Sequence, residues 1–180
     1  MECKNEMDLK AKIRRFPEFK GVVFWDILPL LKDKVAFKEA IDKLAAHYKG
    51  KKIDVVASNE ARGFIIGAPL AYALGVGFVP IRKKGKLPGK CEPLTYQKEY
   101  EKDTIEIQAD AIKKGEKVLL IDDLLATGGT VKANIDLIEK LGGEVVGLGF
   151  LIELDYCGGR KLLGDKHEIF SLIRYENTNP

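Results

Sequence analysis

The chain has 180 residues, of which 46% are hydrophobic and 32% charged, and its formal net charge at pH 7 is +3. This length is typical of one domain with a full hydrophobic core, so we expect a single domain over residues 1–180. The small net charge does not indicate a nucleic-acid or membrane partner, and we expect neither.

The cysteines and the amino-terminal segment both favour a cytoplasmic protein. Cys3, Cys91 and Cys157 form no CxxC pair and have no histidine nearby. This pattern fits free thiols in a reducing compartment better than disulfides or a zinc site. The first ten residues, MECKNEMDLK, contain no apolar stretch, so we expect no secretory signal.

Helical and strand-like segments alternate from the start of the chain. The apolar spacing predicts an amphipathic helix for MDLKAKIRRF, from Met7, which ends before Pro17. It predicts a second helix for VAFKEAIDKLAAHY, from Val35. A short buried strand is predicted for IDVVA, from Ile53, and a helix that begins near Arg62 follows it.

One uncharged stretch, the 18 residues Phe64–Ile81, tests the expectation that no membrane is involved. Its length is near the lower limit of a membrane span. It contains two prolines and three glycines, however, and Gly75 and Gly77 divide it. We therefore predict a buried helix to Leu74, a tight turn and a short strand from Phe78.

The second half of the chain repeats the alternation. Buried strands are predicted for KVLLI, from Lys117, and for EVVGLGFLIEL, from Glu144. Between them TVKANIDLIEKLGG, from Thr130, predicts a helix that its two glycines close. A last strand is predicted for EIFSLIRYE, from Glu168. Continuous apolar strands separated by helices indicate an α/β fold with a mostly parallel central sheet flanked by helices.

Two acids, Asp122 and Asp123, stand side by side in the otherwise apolar run VLLIDDLLATGGT. Adjacent carboxylates repel each other and lose hydration on burial, which indicates that a ligand needs them. In parallel sheets ligands bind beyond the carboxyl ends of the strands, and this pair follows a strand predicted to end at Ile121. Neighbouring strand residues point to opposite faces, so both acids serve one site only if the chain turns here.

The segment ATGGT, Ala126–Thr130, then opens the next helix. Its small residues let backbone N–H groups approach an anion, and Thr127 and Thr130 add hydroxyl donors. The helix dipole adds only about 0.3–1 kcal/mol, so these converging donors must do most of the holding. Carboxylates beside an anion cradle suit a phosphorylated sugar, whose hydroxyls donate to the acids. A plain polar turn is the alternative, which accounts for the acid pair but poorly for the whole pattern.

The pattern resembles the binding signature of the type I phosphoribosyltransferases, which use 5-phosphoribosyl-1-pyrophosphate (PRPP). The resemblance extends over nearly the whole chain to the adenine phosphoribosyltransferases, through the segments FPEFKGVVFWDILPLL, EARGF, RKKGKLPG, YQKEY and IDDLLATGGT. It implies the type I phosphoribosyltransferase fold, with a short N-terminal hood and a flexible flap. It also implies transfer of the phosphoribosyl group from PRPP to adenine, forming AMP and pyrophosphate in purine salvage.

The resemblance assigns PRPP binding to residues in four segments: Asp122, Asp123, Ala126, Thr127, Gly128, Gly129, Thr130, Glu60, Ala61, Arg62, Arg82, Lys83 and Lys86. The acid pair would hold the ribose hydroxyls, the helix start the 5′-phosphate, and the loop at residues 60–62 the pyrophosphate. Five cations and no acid lie between Arg82 and Lys90, which suits a leaving group that gains negative charge. A solubility face or a nucleic-acid patch is the alternative, although no aromatic residue interleaves the cations. In the family, part of this cluster reaches the neighbouring subunit's site, which implies a homodimer.

The resemblance assigns adenine binding to Val23, Phe24, Trp25 and Leu154. Phe24 and Leu154 would sandwich the base, while backbone groups around Val23 and Trp25 read its edge. A core role is the alternative for Phe24 and Leu154. Trp25 differs from the family, which commonly has a basic residue there, so we expect the rim of the pocket to differ.

Glu99 in TYQKEYEKDTIEI is the candidate acid–base residue, within a charged stretch that we interpret as a mobile flap. As C1 of the ribose gains oxocarbenium character, N9 of the purine must lose its proton, and a carboxylate near N7 can help move it. Tyr100 would help close the flap. A solvated side chain is the alternative for Glu99. Lys98 and Glu101 differ from the family, which more often has an apolar residue and a glycine there.

Magnesium follows from PRPP, because the charge of its pyrophosphate needs a divalent cation. We expect the substrate to supply most of the metal ligands and assign no protein residue as a direct ligand. Two other functions stay open at this point. One is transfer to another base, such as hypoxanthine, guanine or xanthine. The other is a non-catalytic PRPP-sensing regulator, whose DNA-binding module we expect not to fit in the short segment before Val22.

Overall fold

The computed structural model describes residues 8–19, 21–97 and 102–178. Its strands are β1 (Arg14–Phe19), β2 (Val22–Asp26), β3 (Val55–Asn59), β4 (Gly77–Lys83), β5 (Cys91–Gln97), β6 (Lys102–Gln108), β7 (Lys117–Leu125), β8 (Glu144–Leu154) and β9 (Ile169–Tyr175). Its helices are α1 (Leu28–Lys32), α2 (Lys34–Tyr48), α3 (Arg62–Leu74), α4 (Gly129–Lys140) and α5 (Gly159–Leu163). Short 3-10 turns cover Lys10–Lys12 and Asp155–Cys157.

The central sheet has seven strands in the order β5-β6-β4-β3-β7-β8-β9. Strands β4, β3, β7, β8 and β9 run parallel to one another. At one edge, β6 pairs antiparallel with both β4 and β5. Strands β1 and β2 form a separate antiparallel pair. The prediction of an α/β fold with a mostly parallel sheet is therefore confirmed.

Both faces of the sheet are covered. Val56 and Leu119 pack in one core cluster with side chains of α2 and α3. Val55 and Val118, their neighbours along the strands, pack in a second cluster with side chains of α4. Successive strand residues point to opposite faces, so this division explains why the buried strands are apolar at nearly every position.

The three helices predicted after residue 30 are present as α2, α3 and α4. Helix α2 begins after Asp33, whose carboxylate accepts hydrogen bonds from the backbone N–H groups of Val35 and Ala36 at 3.0 and 3.2 Å. Helix α3 ends at Leu74, followed by Gly75 with a φ of 71°. Within the described ranges, no helix has the length and apolarity needed to cross a membrane.

The amino-terminal helix predicted from Met7 is wrong for the residues that the structure describes. A 3-10 turn and strand β1 take its place. Arg14 lies opposite Asp26 of β2, and its Nη2 donates to Asp26 Oδ2 at 2.6 Å. Pro17 also disfavours a helical backbone at the preceding residue, Phe16. Strand pairing therefore outweighs the helical spacing of the apolar residues here.

The predicted end of β7 at Ile121 is also wrong. The strand continues through both acids to Leu125, because it stays paired with β8. Asp122 lies opposite Phe150, and Leu125 lies opposite Glu153. The chain therefore does not turn at the acid pair.

Tyr48 ties α2 to the sheet and offers a test of this packing. Its ring is 1% exposed and its hydroxyl donates to the backbone oxygen of Leu148 at 3.0 Å. We predict that Tyr48→Phe lowers the free energy of unfolding by about 0.5–1.5 kcal/mol, the usual worth of such a bond, in urea denaturation. The matched control is Tyr72→Phe, since Tyr72 is 90% exposed. Equal unfolding midpoints for the two variants would contradict the prediction.

Candidate active site

A cavity of about 410 Å³ lies at the carboxyl ends of β3 and β7. These two strands are parallel neighbours, so their ends meet at one edge of the sheet. The residues that line it are Asn59, Glu60, Ala61, Arg62, Asp122, Asp123, Leu124, Ala126, Thr127, Gly128, Thr130 and Val131. The structure thus brings together the acid pair, the segment predicted for pyrophosphate and most of the segment predicted for phosphate.

Both carboxylates of the acid pair line this cavity although β7 does not end at them. Asp123 is only 6% exposed, and Asp122 Oδ1 accepts a hydrogen bond from the backbone N–H of Asp123 at 2.9 Å. Burial raises the pKa of Asp122 well above its usual range, and the charge of Asp123 raises it further. Burial also raises the pKa of Asp123, against the opposing charge of Arg62. The fold therefore holds two acids where their charge is disfavoured.

Arg62, the first residue of α3, is the cation beside this pair. Its Nε lies 2.9 Å from Asp123 Oδ2. That distance is an ion-pair distance, but the two groups are not aligned for a hydrogen bond, and none of the described residues donates one to the buried Oδ2. The guanidinium carbon of Arg62 also lies 5.2 Å from the ring centroid of Phe24. Asp123 Oδ2 is therefore a buried carboxylate oxygen whose charge is balanced by a nearby cation.

Gly63 is a site residue that the sequence analysis missed. A Cβ built on it would lie 2.7 Å from Asp122 Oδ1. The first turn of α3 can pack this closely against the acid only because residue 63 has no side chain. The signal in the sequence was the glycine directly after Arg62 in EARGF.

The start of α4 forms the wall opposite α3. Gly128 has a φ of 84° and precedes the first helical residue, Gly129, which does not itself line the cavity. Thr130 Oγ1 lies within hydrogen-bond distance, 3.0 Å, of the hydroxyl of Tyr96 on β5. The cavity also includes Leu124 and Val131, which carry no polar signal in the sequence.

Glu60 lines the cavity and contacts two residues of the predicted cation cluster. Arg82 Nε donates to Glu60 Oε2 at 2.7 Å, and Lys86 Nζ lies 3.2 Å from Glu60 Oε1. Burial would raise the pKa of Glu60, but hydrogen bonds from Arg82 and Lys86 together with their charges bring it below its usual value. Lys83 is separate, with its Nζ 3.9 Å from Asp103 Oδ2. The peptide bond between Glu60 and Ala61 is cis.

Glu106 of β6 holds the loop that carries these cations, and sequence reasoning missed it too. It is 6% exposed, and its Oε1 accepts backbone N–H bonds from Gly85, Lys86 and Leu87 at 2.9, 3.1 and 3.1 Å. An acid between two isoleucines of a strand was the available signal. A buried carboxylate needs such donors, so the loop conformation and the acid depend on each other.

The residues assigned to adenine lie on β2 and at the end of β8. Val23 and Phe24 are partly buried, and Leu154 is 5% exposed within the core. The Trp25 ring is 3% exposed, stacks on Tyr175 at 3.7 Å between centroids, and donates from Nε1 to the Tyr156 hydroxyl at 3.2 Å. The tryptophan side chain is thus packed inward rather than on a pocket rim. The candidate catalytic residues Glu99 and Tyr100, with Lys98 and Glu101, lie outside the described residues.

Residues 30–176 match the family model of the phosphoribosyl transferase domain. The chain belongs to the phosphoribosyltransferase family. It is 57% identical over 171 residues to the adenine phosphoribosyltransferase of Halothermothrix orenii, covering 93% of this chain and 99% of that protein.

Solved structures agree with the family over nearly the whole chain. The crystal structure of adenine phosphoribosyltransferase from Thermoanaerobacter pseudethanolicus is 50% identical, with a TM-score of 0.89 and coverage of 93% of this chain and 98% of that one. The Giardia lamblia enzyme complexed with 9-deazaadenine is 39% identical, with a TM-score of 0.90 and coverage of 94% and 97%. The expected type I phosphoribosyltransferase fold is therefore confirmed.

The raised pKa of Asp122 gives a prediction with a definite sign. A folded-state pKa above the unfolded value means that the folded protein binds the proton more tightly, so stability falls as pH rises through that window. We therefore predict that Asp122→Asn raises the melting temperature at pH 8, and that the gain shrinks as pH falls towards the usual carboxyl range. The same variant should weaken PRPP binding about tenfold or more, because it loses a charged hydrogen-bond acceptor.

The matched control is Asp136→Asn on the exposed side of α4, where Asp136 pairs with Lys132. Its melting temperature should show no gain at pH 8. Scanning calorimetry across pH, together with titration calorimetry of PRPP, measures both quantities. The predicted sign is wrong if the melting temperature of Asp122→Asn minus that of wild type is smaller at pH 8 than at pH 5.

Proposed function

We propose that this protein transfers the 5-phosphoribosyl group of PRPP to adenine, forming AMP and pyrophosphate in purine salvage. The observation that carries the proposal is the single cavity at the ends of β3 and β7, lined by an acid pair and by the start of a glycine-containing helix. Relatives that cover nearly the whole chain are adenine phosphoribosyltransferases, which supports adenine as the acceptor.

The acid pair and the start of α4 are the proposed site of the ribose 5-phosphate. Asp122 and Asp123 would accept hydrogen bonds from the ribose hydroxyls. The backbone N–H groups of 126–130 and the hydroxyls of Thr127 and Thr130 would hold the 5′-phosphate. Donors from the sugar would relieve the buried, mutually repelling carboxylates, which supports this orientation of the substrate.

The loop at residues 60–62 and the cations Arg82 and Lys86 are the proposed site of the pyrophosphate. Glu60 holds both cations by ion pairs, so their positive groups are placed before a substrate arrives. Pyrophosphate gains negative charge as the bond to C1 breaks, and positioned cations stabilise that charge in the transition state. Lys83 belongs to this proposal by its place in the cluster, although it lies nearer to Asp103.

The proposed adenine pocket lies between Phe24 and Leu154, with backbone groups around Val23 and Trp25 at the edge of the base. Arg62 joins the two halves of the site, because it contacts Asp123 on one side and the Phe24 ring on the other. The stacking of Trp25 on Tyr175 would hold the backbone of β2 in place while leaving that backbone free to contact the base.

Glu99 and Tyr100 are the proposed catalytic residues of the flap between β5 and β6. A carboxylate near N7 of adenine would help to move the proton that N9 loses, and Tyr100 would exclude water from the reacting atoms. The resemblance of YQKEY to the flap motif of the family is what supports these roles.

The residues of the cavity fit a magnesium ion that arrives with PRPP. Mg²⁺ prefers oxygen ligands and is often held by one or two carboxylates together with substrate phosphates. Asp122 and Asp123 line the cavity, and Asp123 Oδ2 has no hydrogen-bond donor in the part of the chain that the structure describes. Mg²⁺ would neutralise part of the pyrophosphate charge, with the acids acting on it through water or through the ribose. We also propose a cytoplasmic homodimer, in which part of the cation cluster reaches the neighbouring subunit's site.

The test is an assay of the purified protein with PRPP and one base at a time. We expect AMP from adenine, dependence on Mg²⁺, and little product from hypoxanthine or guanine. Equal turnover of a 6-oxopurine would move the assignment to another base. Binding of PRPP without turnover of any base would instead support the non-catalytic regulator.

A second prediction concerns the flap. Glu99→Ala should lower kcat for adenine about tenfold or more, the usual contribution of a general acid–base group, while the dissociation constant of PRPP stays near that of wild type. Glu101→Ala is the matched control, an acid of the same flap with no assigned role, and its kcat should not change. Unchanged turnover in Glu99→Ala would refute the proposed role.

A further inference from the structure

The turn from Leu154 to Arg160 joins the two halves of the proposed substrate site. Strands β7 and β8 pair in parallel, with Leu125 opposite Glu153. The residue that follows β7 is Ala126, where the proposed phosphate segment begins, and the last residue of β8 is Leu154, the proposed adenine contact. The proposed phosphate segment and the proposed adenine contact therefore begin at neighbouring positions of two paired strands.

The end of this turn at Gly159 packs against the backbone of the phosphate segment, residues 126–130. A Cβ on Gly159 would lie 2.2 Å from the backbone oxygen of Ala126, and a Cβ on Gly128 would lie 3.0 Å from the backbone oxygen of Gly159. The two backbones are thus in contact with no space for a side chain between them. A displacement of Gly159 must displace the phosphate segment.

The turn is closed by an ion pair between Glu153, the residue before it, and Arg160, its last residue. Arg160 Nε donates to Glu153 Oε1 at 2.7 Å, and Arg160 Nη2 donates to Glu153 Oε2 at 2.6 Å. This two-point geometry fixes direction as well as distance, which a lysine at the same place would not do. Arg160 Nη1 also donates to the backbone oxygen of Ile169 at 3.2 Å, which anchors the arginine on β9.

The carboxylate of this pair is almost completely buried. Glu153 is 1% exposed, and Ser171 Oγ also donates to its Oε2 at 2.7 Å. Burial would raise the pKa of Glu153, but hydrogen bonds from Arg160 and Ser171 and the charges of Arg160 and Arg174 bring it below its usual value. Losing the arginine would leave a buried charge largely unpaired, so the turn would rearrange.

We propose that Arg160 is a positioning residue for phosphoribosyl transfer, which holds the adenine wall and the phosphate segment at a fixed separation through Glu153 and Gly159. The proposal rests on the proposed function, because it assigns those two ends to adenine and to the 5′-phosphate. Arg160 does not line the active-site cavity and acts only through its neighbours. Transfer needs N9 of the base close to C1 of the ribose, so a small change in this separation lowers the rate.

The test compares Arg160→Met with Arg174→Met. Arg174 is the matched control because its Nε lies 3.8 Å from the same Glu153 Oε2, while its main hydrogen bond goes to Asp155 and its backbone belongs to β9. Arg160→Met should lower kcat about tenfold or more and raise KM for both adenine and PRPP. Arg174→Met should lower the melting temperature and leave kcat and both KM values within about twofold of wild type.

The outcomes separate this proposal from the function on which it rests. A wild-type protein that does not convert adenine overturns both. An active wild type whose two methionine variants lose kcat equally overturns the positioning role alone, since general destabilisation then explains the loss. Arg160→Lys should recover only part of the kcat, because it restores the charge without the two-point geometry.

Gly159→Ala tests the same connection if Arg160→Met does not fold. Its Cβ would press on the backbone of Ala126, so KM for PRPP should rise about tenfold or more, with a smaller change in KM for adenine. Lys161→Ala, on the exposed side of α5, is its control. A Gly159→Ala protein with wild-type KM for PRPP would overturn the proposed link between the turn and the phosphate segment.

Discussion

The buried pair Asp122–Asp123 is the constraint on which the rest of the site depends. Two carboxylates are held in adjacent positions of a central strand, where burial and mutual repulsion raise the pKa of Asp122. Arg62 lies 2.9 Å from Asp123, yet Asp123 Oδ2 receives no hydrogen bond from residues 8–19, 21–97 or 102–178. A protein keeps such an arrangement, against its own stability, where a ligand supplies the missing donors. Ribose hydroxyls are donors of the right kind.

The parallel sheet brings the other parts of the site to this pair. Strands β3 and β7 end side by side, so the loop at 60–62 and the start of α4 face each other across one cavity. Two further acids arrange the basic loop: the partly buried Glu60 holds Arg82 and Lys86, while the buried Glu106 holds the backbone from Gly85. Carboxylates in this protein therefore have two roles in our proposal: the acid pair accepts hydrogen bonds from the substrate, and Glu60 holds the cations that would bind it.

The sequence predicted which segments meet at the cavity better than it predicted the backbone conformation of individual segments. Apolar periodicity gave most helices and strands, and motif spacing gave the acid pair and the segment at 126–130. The apolar periodicity failed at residues 8–16, where pairing of Arg14 with Asp26 favours a strand, and at Ile121, where pairing with β8 extends β7. Gly63 and Glu106 were missed because their importance comes from contacts with distant residues, which no local pattern records.

The proposed sugar-phosphate site is tested most directly by a crystal structure of the protein with bound AMP. The ribose hydroxyls are predicted within hydrogen-bond distance of Asp122 and Asp123, with the phosphate against the backbone N–H groups of residues 126–130. AMP bound elsewhere while this cavity holds only solvent, or a phosphate that does not contact the start of α4, would contradict the assignment of substrate, metal and reaction together.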